Sequence, residues 1–281
     1  MVMKSSPAQR LKEIVGRPEE KLDLAEAALL IAQDEYPELD VSTYLHRLDE
    51  LAETVRTRLL PDAGPESIIA AMNYLFFREQ GFSGNDADYY DPRNNFLNEV
   101  LDRRVGIPIT LSIVYMEVGQ RLGLPLEGIS FPGHFLVKLP TESGDVVLDP
   151  YAGGVSLTEE DLNERLYQAY GHEKPDMPLN RLLASAGKKE ILARVLRNLK
   201  NSYVQTEDFS KALSVIDRLL LIAPNLPGEV RDRGLIYEQL ECPHAALQDY
   251  RRYLELEPEA PDAEDIRTRA IDLQQTGSAL H

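Results

Sequence analysis

Two adjacent cations, Arg103 and Arg104, stand just ahead of Val105-Gly106-Ile107-Pro108, where a helix can begin. Guanidinium groups there can hold an anion, with the Asn95 amide as a further binding candidate, or they can pair with Asp91, Glu99 or Asp102. Just beyond lie the hydroxyls of Thr110 and Ser112, and such a hydroxyl becomes a nucleophile only beside a well-aligned base. The one thiol of the chain, Cys242, is far from this stretch. His244 follows it closely, but Glu241 opposes thiolate formation, so the pattern reads as an incidental thiol. His46 lies among charged residues with no metal ligand one turn on, and reads as a surface histidine. His172 follows Gly171 in a loop with no evident partner. SGNDADYYDPRNN lacks the ligand spacing and closing Glu of an EF-hand, and reads as a solvated loop.

These groups need elements to hold them. ITLSIVYMEVGQRL carries Ile109, Leu111, Ser112, Val114, Tyr115, Val118 and Leu122 at mixed three- and four-residue spacing, which predicts a helix over 108–122 with a buried face. Pro108 suits its first position, and Gly123 with Pro125 ends it. Extended segments at 126–131, 134–139 and 145–150 follow, joined by Pro132-Gly133 and by a turn around Ser143-Gly144. They predict a small antiparallel sheet under the helix. Upstream, residues 7–60 read as helices. Pro18-Glu19-Glu20 opens one that runs through KLDLAEAALLIAQDEY to Pro37, and Ser42 or Thr43 caps the next, striped by Leu45, Leu48, Leu51 and Val55. Pro65 opens a third, apolar enough to pack on the 108–122 helix. Asn95 to Arg104 reads as a short helix with Phe96, Leu97 and Val100 on one face. Ser156-Leu157-Thr158-Glu159 has the form of a capping box for a helix closed by Gly171.

A Gly-x-x helix start, a Leu-Gly-Leu-Pro exit, a strand opening Gly-His-Phe and a strand ending Asp-Pro together resemble the transglutaminase-like branch of the papain-like thiol-enzyme superfamily. That resemblance implies, in chain order, a cysteine at the helix start, a histidine on the next strand and an aspartate on the one after. A thiol at a helix N-terminus ionises readily, histidine takes its proton, and a carboxylate holds the imidazole in one tautomer. His134 and Asp149 match the second and third members. The nucleophile position falls at or beside Pro108, which has neither a nucleophile nor a proton to give, so His134 and Asp149 stand as a vestigial dyad with Ser112 as the alternative nucleophile. The wider wording, YYDPRNNFLNEVLDRRVGIPITLS with FPGHFLVKL and LDPYAGG, is similar to the bacterial SirB-one family, which joins such a domain to C-terminal tetratricopeptide (TPR) repeats.

The repeats are also visible directly. At an offset of 34 residues, Tyr203 aligns with Tyr237, Ala212-Leu213 with Ala246-Leu247, Leu220 with Leu254 and Pro224 with Pro258. A small residue in the second helix and a proline after it mark the TPR unit. The expected fold is therefore α+β: a mostly helical transglutaminase-like domain over 1–178, with lead-in 1–80 and core 88–154, then all-α TPR repeats over 179–281.

Composition limits the functions. Thirty Lys and Arg against 47 Asp and Glu give a net charge of −17, which repels nucleic-acid backbones and anionic membranes. One cysteine excludes an internal disulfide and a multi-thiolate metal site. No apolar core of signal-peptide length opens the chain, and no stretch nears the ~20 apolar residues of a membrane span. The expectations are a cytoplasmic protein without cofactor or metal, holding a protein or peptide partner in the TPR groove, with no nucleic acid and no membrane. Two functions stay open: a non-catalytic interaction or regulatory module, or a hydrolase or acyl-transfer enzyme with a Ser or Thr nucleophile and a His-Asp pair.

Overall fold

Short polar side chains start the N-terminal helices. Ser6 accepts from Gln9 N to begin α1 (Pro7–Val15), and Asp23 accepts from Glu26 N to begin α2 (Leu24–Ala32). The computed structural model describes residues 6–142, 144–171 and 177–279, so His172 lies outside the described residues. Pro18-Glu19-Glu20 opens only one 3-10 turn, Glu19–Lys21, because Leu22 turns extended and is buried and Asp23 then caps α2 afresh. Every α2 residue except Glu26 is buried, so this helix is enclosed on nearly all its faces. The cap of α3 (Val41–Arg56) is Asp40 rather than Ser42 or Thr43: its carboxylate accepts from Ser42 N at 3.0 Å, and both hydroxyls donate to it.

From α4 (Pro65–Asn73) the chain continues as a π-helical stretch over Tyr74–Glu79. Met72, Leu75 and Phe76 are buried here, and Phe76 meets the Tyr115 ring edge-on at 5.7 Å. The loop beyond it is not wholly solvated. It holds β1 (Ser83–Gly84), which, past α5 (Leu97–Arg103), pairs in parallel with β2 (Val105–Gly106). Two-residue strands leave no periodic trace in a sequence.

At the centre is α6 (Pro108–Arg121), buried from Pro108 through Gly119. It packs on a four-stranded antiparallel sheet: β3 (Glu127–Ile129), β4 (Leu136–Leu139), β5 (Val146–Asp149) and β6 (Val155–Leu157), in that order. Beyond the sheet come α7 (Glu159–Tyr170) and α8 (Leu179–Leu182). Leu162 and Leu166 of α7 join Ile129, Phe131, Leu136 and Val147 in one core cluster. β6 was not expected. It takes Ser156 into the sheet, so the capping box of α7 is the reciprocal pair of Thr158 and Asp161.

The described structure forms two compact units, Met1–Val195 and Leu196–His281, and the boundary falls within α9 (Lys188–Gln205). The segment after residue 177 stays with the first unit: Ala186 N donates to Gly128 O at 2.8 Å and Lys188 Nζ to Leu22 O at 2.7 Å. In the second unit come α10 (Phe209–Ile222), α11 (Pro227–Gln239), α12 (Pro243–Leu256) and α13 (Ala263–Ala279). The 34-residue period is present in the backbone itself. Glu207 and Glu241 both take left-handed φ, 58° and 55°, Asp208 and Cys242 both precede a helix, and Ala212 and Ala246 are both fully buried. No helix among the described residues is long and apolar enough to cross a membrane.

Gly154 shows how tightly the first unit closes behind the sheet. Its φ is +75°, its carbonyl accepts from Asn73 Nδ2 at 2.9 Å, and a Cβ there would stand 2.1 Å from Asn73 Oδ1. Gly154→Ala is therefore expected to cost roughly 1–3 kcal/mol in urea unfolding, since both backbone strain and overlap act against it.

Candidate functional site

Turn chemistry places His134. Phe131-Pro132-Gly133-His134 is a type II turn, with proline at the second position, Gly133 at φ +66° at the third, and His134 N donating to Phe131 O at 3.1 Å. Arg194 braces it from α9, donating to Phe131 O at 3.3 Å, His134 O at 2.6 Å and Ser130 Oγ at 3.1 Å. Strand ending places Asp149. Pro150 forbids continuation of the ladder, and the Asp149 carboxylate caps the 3-10 turn Pro150–Ala152, accepting from Tyr151 N at 3.0 Å and Ala152 N at 3.3 Å.

The two side chains meet. His134 Nε2 lies 3.0 Å from Asp149 Oδ1, and Arg165 of α7 donates to Asp149 Oδ2 at 2.6 Å. Burial of the fully enclosed Asp149 works to raise its carboxyl. The bonds from His134, the charges of His134 and Arg165, and the Ala152 N–H outweigh it and hold the group below the usual carboxylate range. With Asp149 ionised, Nε2 carries the proton it donates, so a neutral His134 keeps Nδ1 as its basic nitrogen. Nδ1 has no hydrogen-bond partner among the described residues.

A line of contacts ties this pair to the start of α6. The Tyr151 ring meets His134 edge-on at 5.8 Å, and its hydroxyl donates to Asp86 at 2.6 Å. Burial and that acceptor push the phenol above its ordinary value. The same ring fills the space at Gly84, where a Cβ would come within 2.3 Å of it, and Gly84 pairs with Gly106 just before α6. Only glycine lets ring and backbone approach this closely.

The groups at the helix start are otherwise engaged. Pro108 is the buried first residue of α6. Thr110 Oγ1 accepts from Ile107 N at 3.2 Å and donates to Asn94 O at 2.8 Å, so its hydroxyl holds the helix entry. Ser112 is fully buried, and its Oγ has no partner among the described residues. Arg103 approaches Asp91 at 3.5 Å, whereas Arg104 lines a cavity with Glu50 and Gln80; Asn95 is buried. Ser112, Arg103 and Arg104 make no bond to His134 or Asp149. Cys242 is exposed ahead of α12, and His46 is exposed with Nδ1 2.7 Å from Ser42 O. No group of three or more His, Cys, Asp or Glu among the described residues is placed to hold a metal ion.

Arg165 and Arg194 were missed by sequence reasoning. Arg165 belongs to EEDLNERLYQAY, whose charges look like a solvated face, and Arg194 lies 60 residues beyond the histidine whose turn it braces. The lowered Asp149 has a sign. Its folded value lies below its unfolded one, so its stabilisation is complete above about pH 4 and is lost as the pH falls through the lower folded value. Asp149→Asn should unfold more easily in urea at pH 7 and show a shallower loss of stability below about pH 4 than the wild type.

Comparison with known proteins gives this geometry its family. A model described as the transglutaminase-like superfamily matches residues 42–197, and a tetratricopeptide-repeat model matches residues 199–270. A UPF0162 protein of Xylella fastidiosa (strain Temecula1) is 42% identical over 264 residues, covering 94% of both chains. UPF0162 protein YchA of Escherichia coli (strain K12) is 32% identical over 266 residues, 93% of this chain and 96% of that one. Protein SirB1 of Salmonella typhimurium is 32% identical over 252 residues, 88% and 90% of the two chains. The chain belongs to the UPF0162/SirB1 family, a transglutaminase-like domain followed by TPR repeats.

Proposed function

We propose that the chain is a transglutaminase-like protein without a nucleophile, acting in the cytoplasm as an interaction or regulatory module that holds a protein or peptide partner through its TPR repeats. The observation that carries this is the start of α6, where Pro108 occupies the first helical position. A papain-type reaction needs a thiolate there, and the one cysteine is Cys242, in a turn of the repeats. The hydroxyl alternative is weak on geometry: Thr110 is spent on Ile107 and Asn94, and the Ser112 hydroxyl is bonded to no base. TPR helices stack into extended surfaces suited to peptide segments, which supports a partner of that kind.

Purified full-length protein is expected to show no turnover of glutamine-donor or peptide substrates, and Cys242→Ser to change nothing. Turnover that survives Cys242→Ser but disappears in Ser112→Ala or His134→Ala would overturn the reading in favour of a serine enzyme. Cross-linking of the full chain to a captured partner, read by mass spectrometry, should place the contacts within residues 199–270 and leave them unchanged in His134→Ala.

A further inference from the structure

The first unit holds a cavity of about 230 Å³ that none of His134, Asp149 and Arg165 lines. Its walls carry opposite charges. Glu50 and Arg104, both exposed, line it, and among the described residues neither side chain makes an ion pair or hydrogen bond, with the other or with anything else. The Gln80 amide in the same wall is likewise without a hydrogen bond. Arg47 beside them is the contrast: it is saturated by Asp102, by Leu101 O at 2.8 Å and by the Tyr44 ring at 5.2 Å. The apolar part of the wall is Leu51, Phe82 and Leu101, the last two buried.

Arg104 is held there by its backbone. It ends α5 in the left-handed conformation, φ 59°, with its N donating to Val100 O at 2.8 Å and its carbonyl accepting from Ser83 N at 3.0 Å. Glycine is the usual residue after a helix in that conformation, and any other carries a conformational cost. Arg104 bears that cost while its exposed guanidinium stays at the cavity, open to a ligand.

We propose that this cavity binds a free α-amino acid with an apolar side chain. Its ammonium sits on Glu50, its carboxylate on Arg104 and Gln80, and its side chain on Leu51, Phe82 and Leu101. A ligand with one charge would satisfy one wall and set an apolar group against the other ion. The volume falls below the ~300–1,000 Å³ of pockets for drug-sized molecules, as a small zwitterion requires. This site is independent of the function proposed above.

Calorimetric titration of the full-length protein with L-leucine, L-leucinamide and 4-methylpentanoate tests it. Leucine should bind saturably, and each single-charge analogue at least ~10-fold more weakly, the size of one lost charge-assisted hydrogen bond. Arg104→Gly is the decisive variant, because glycine suits the backbone: its melting temperature should equal or exceed the wild type while leucine binding falls at least ~10-fold. Glu50→Gln should show the same loss. Absence of saturable leucine binding in the low-millimolar range, equal binding of leucine and leucinamide, or undiminished binding by Arg104→Gly would overturn the proposal.

Discussion

A fully buried carboxylate organises the first unit. An isolated charge in that position would be expensive, and the Asp149 carboxylate is tolerable only because donors surround both its oxygens. Those donors come from separate pieces of chain: His134 from the turn between β3 and β4, Tyr151 N and Ala152 N from the turn after β5, and Arg165 from α7. One interaction thereby fixes the end of a strand, the orientation of an imidazole and the attachment of a helix. The fold around it follows from the need to keep these donors in place. Arg194 fixes the carbonyls of the histidine turn, and the Tyr151 ring, wedged at Gly84, links the pair to the strands that lead into α6.

What this arrangement can do chemically turns on the start of α6. An imidazole with a defined tautomer is half of a nucleophilic mechanism; the other half is a group that can lose a proton at the helix start. Pro108 has none, and the neighbouring hydroxyls are committed to structure or enclosed without a base. Arg165 adds a further difference, because a guanidinium on Asp149 shares the negative charge that would otherwise serve the imidazolium alone. The geometry holds a histidine in place, with its Nδ1 free of any hydrogen bond among the described residues.

Much of this was legible in the chain before the structure. The 108–122 helix showed because its apolar spacing is long and its ends carry Pro108 and Gly123. The histidine turn showed because Pro132-Gly133 has a type II signature, and the repeats because Ala212 and Ala246 recur with prolines behind them. What stayed hidden is what local pattern cannot encode. Asp40 overrode the Ser42 and Thr43 caps because its carboxylate takes the N–H and both hydroxyls together. β1 and β6 are too short for a period, and β6 forms because β5 offers it a free edge. Arg165 and Arg194 act across 16 and 60 residues of chain, so only the tertiary fold brings them to the site.

The central claim is that the site holds an oriented histidine with no nucleophile beside it. Covalent trapping tests it most directly: the full-length protein is incubated with a fluorophosphonate and with a vinyl sulfone, and adducts are located by peptide mass spectrometry. The account predicts no adduct from the fluorophosphonate and a single vinyl sulfone adduct, on Cys242. An adduct on Ser112 or Thr110 that requires His134 would contradict it.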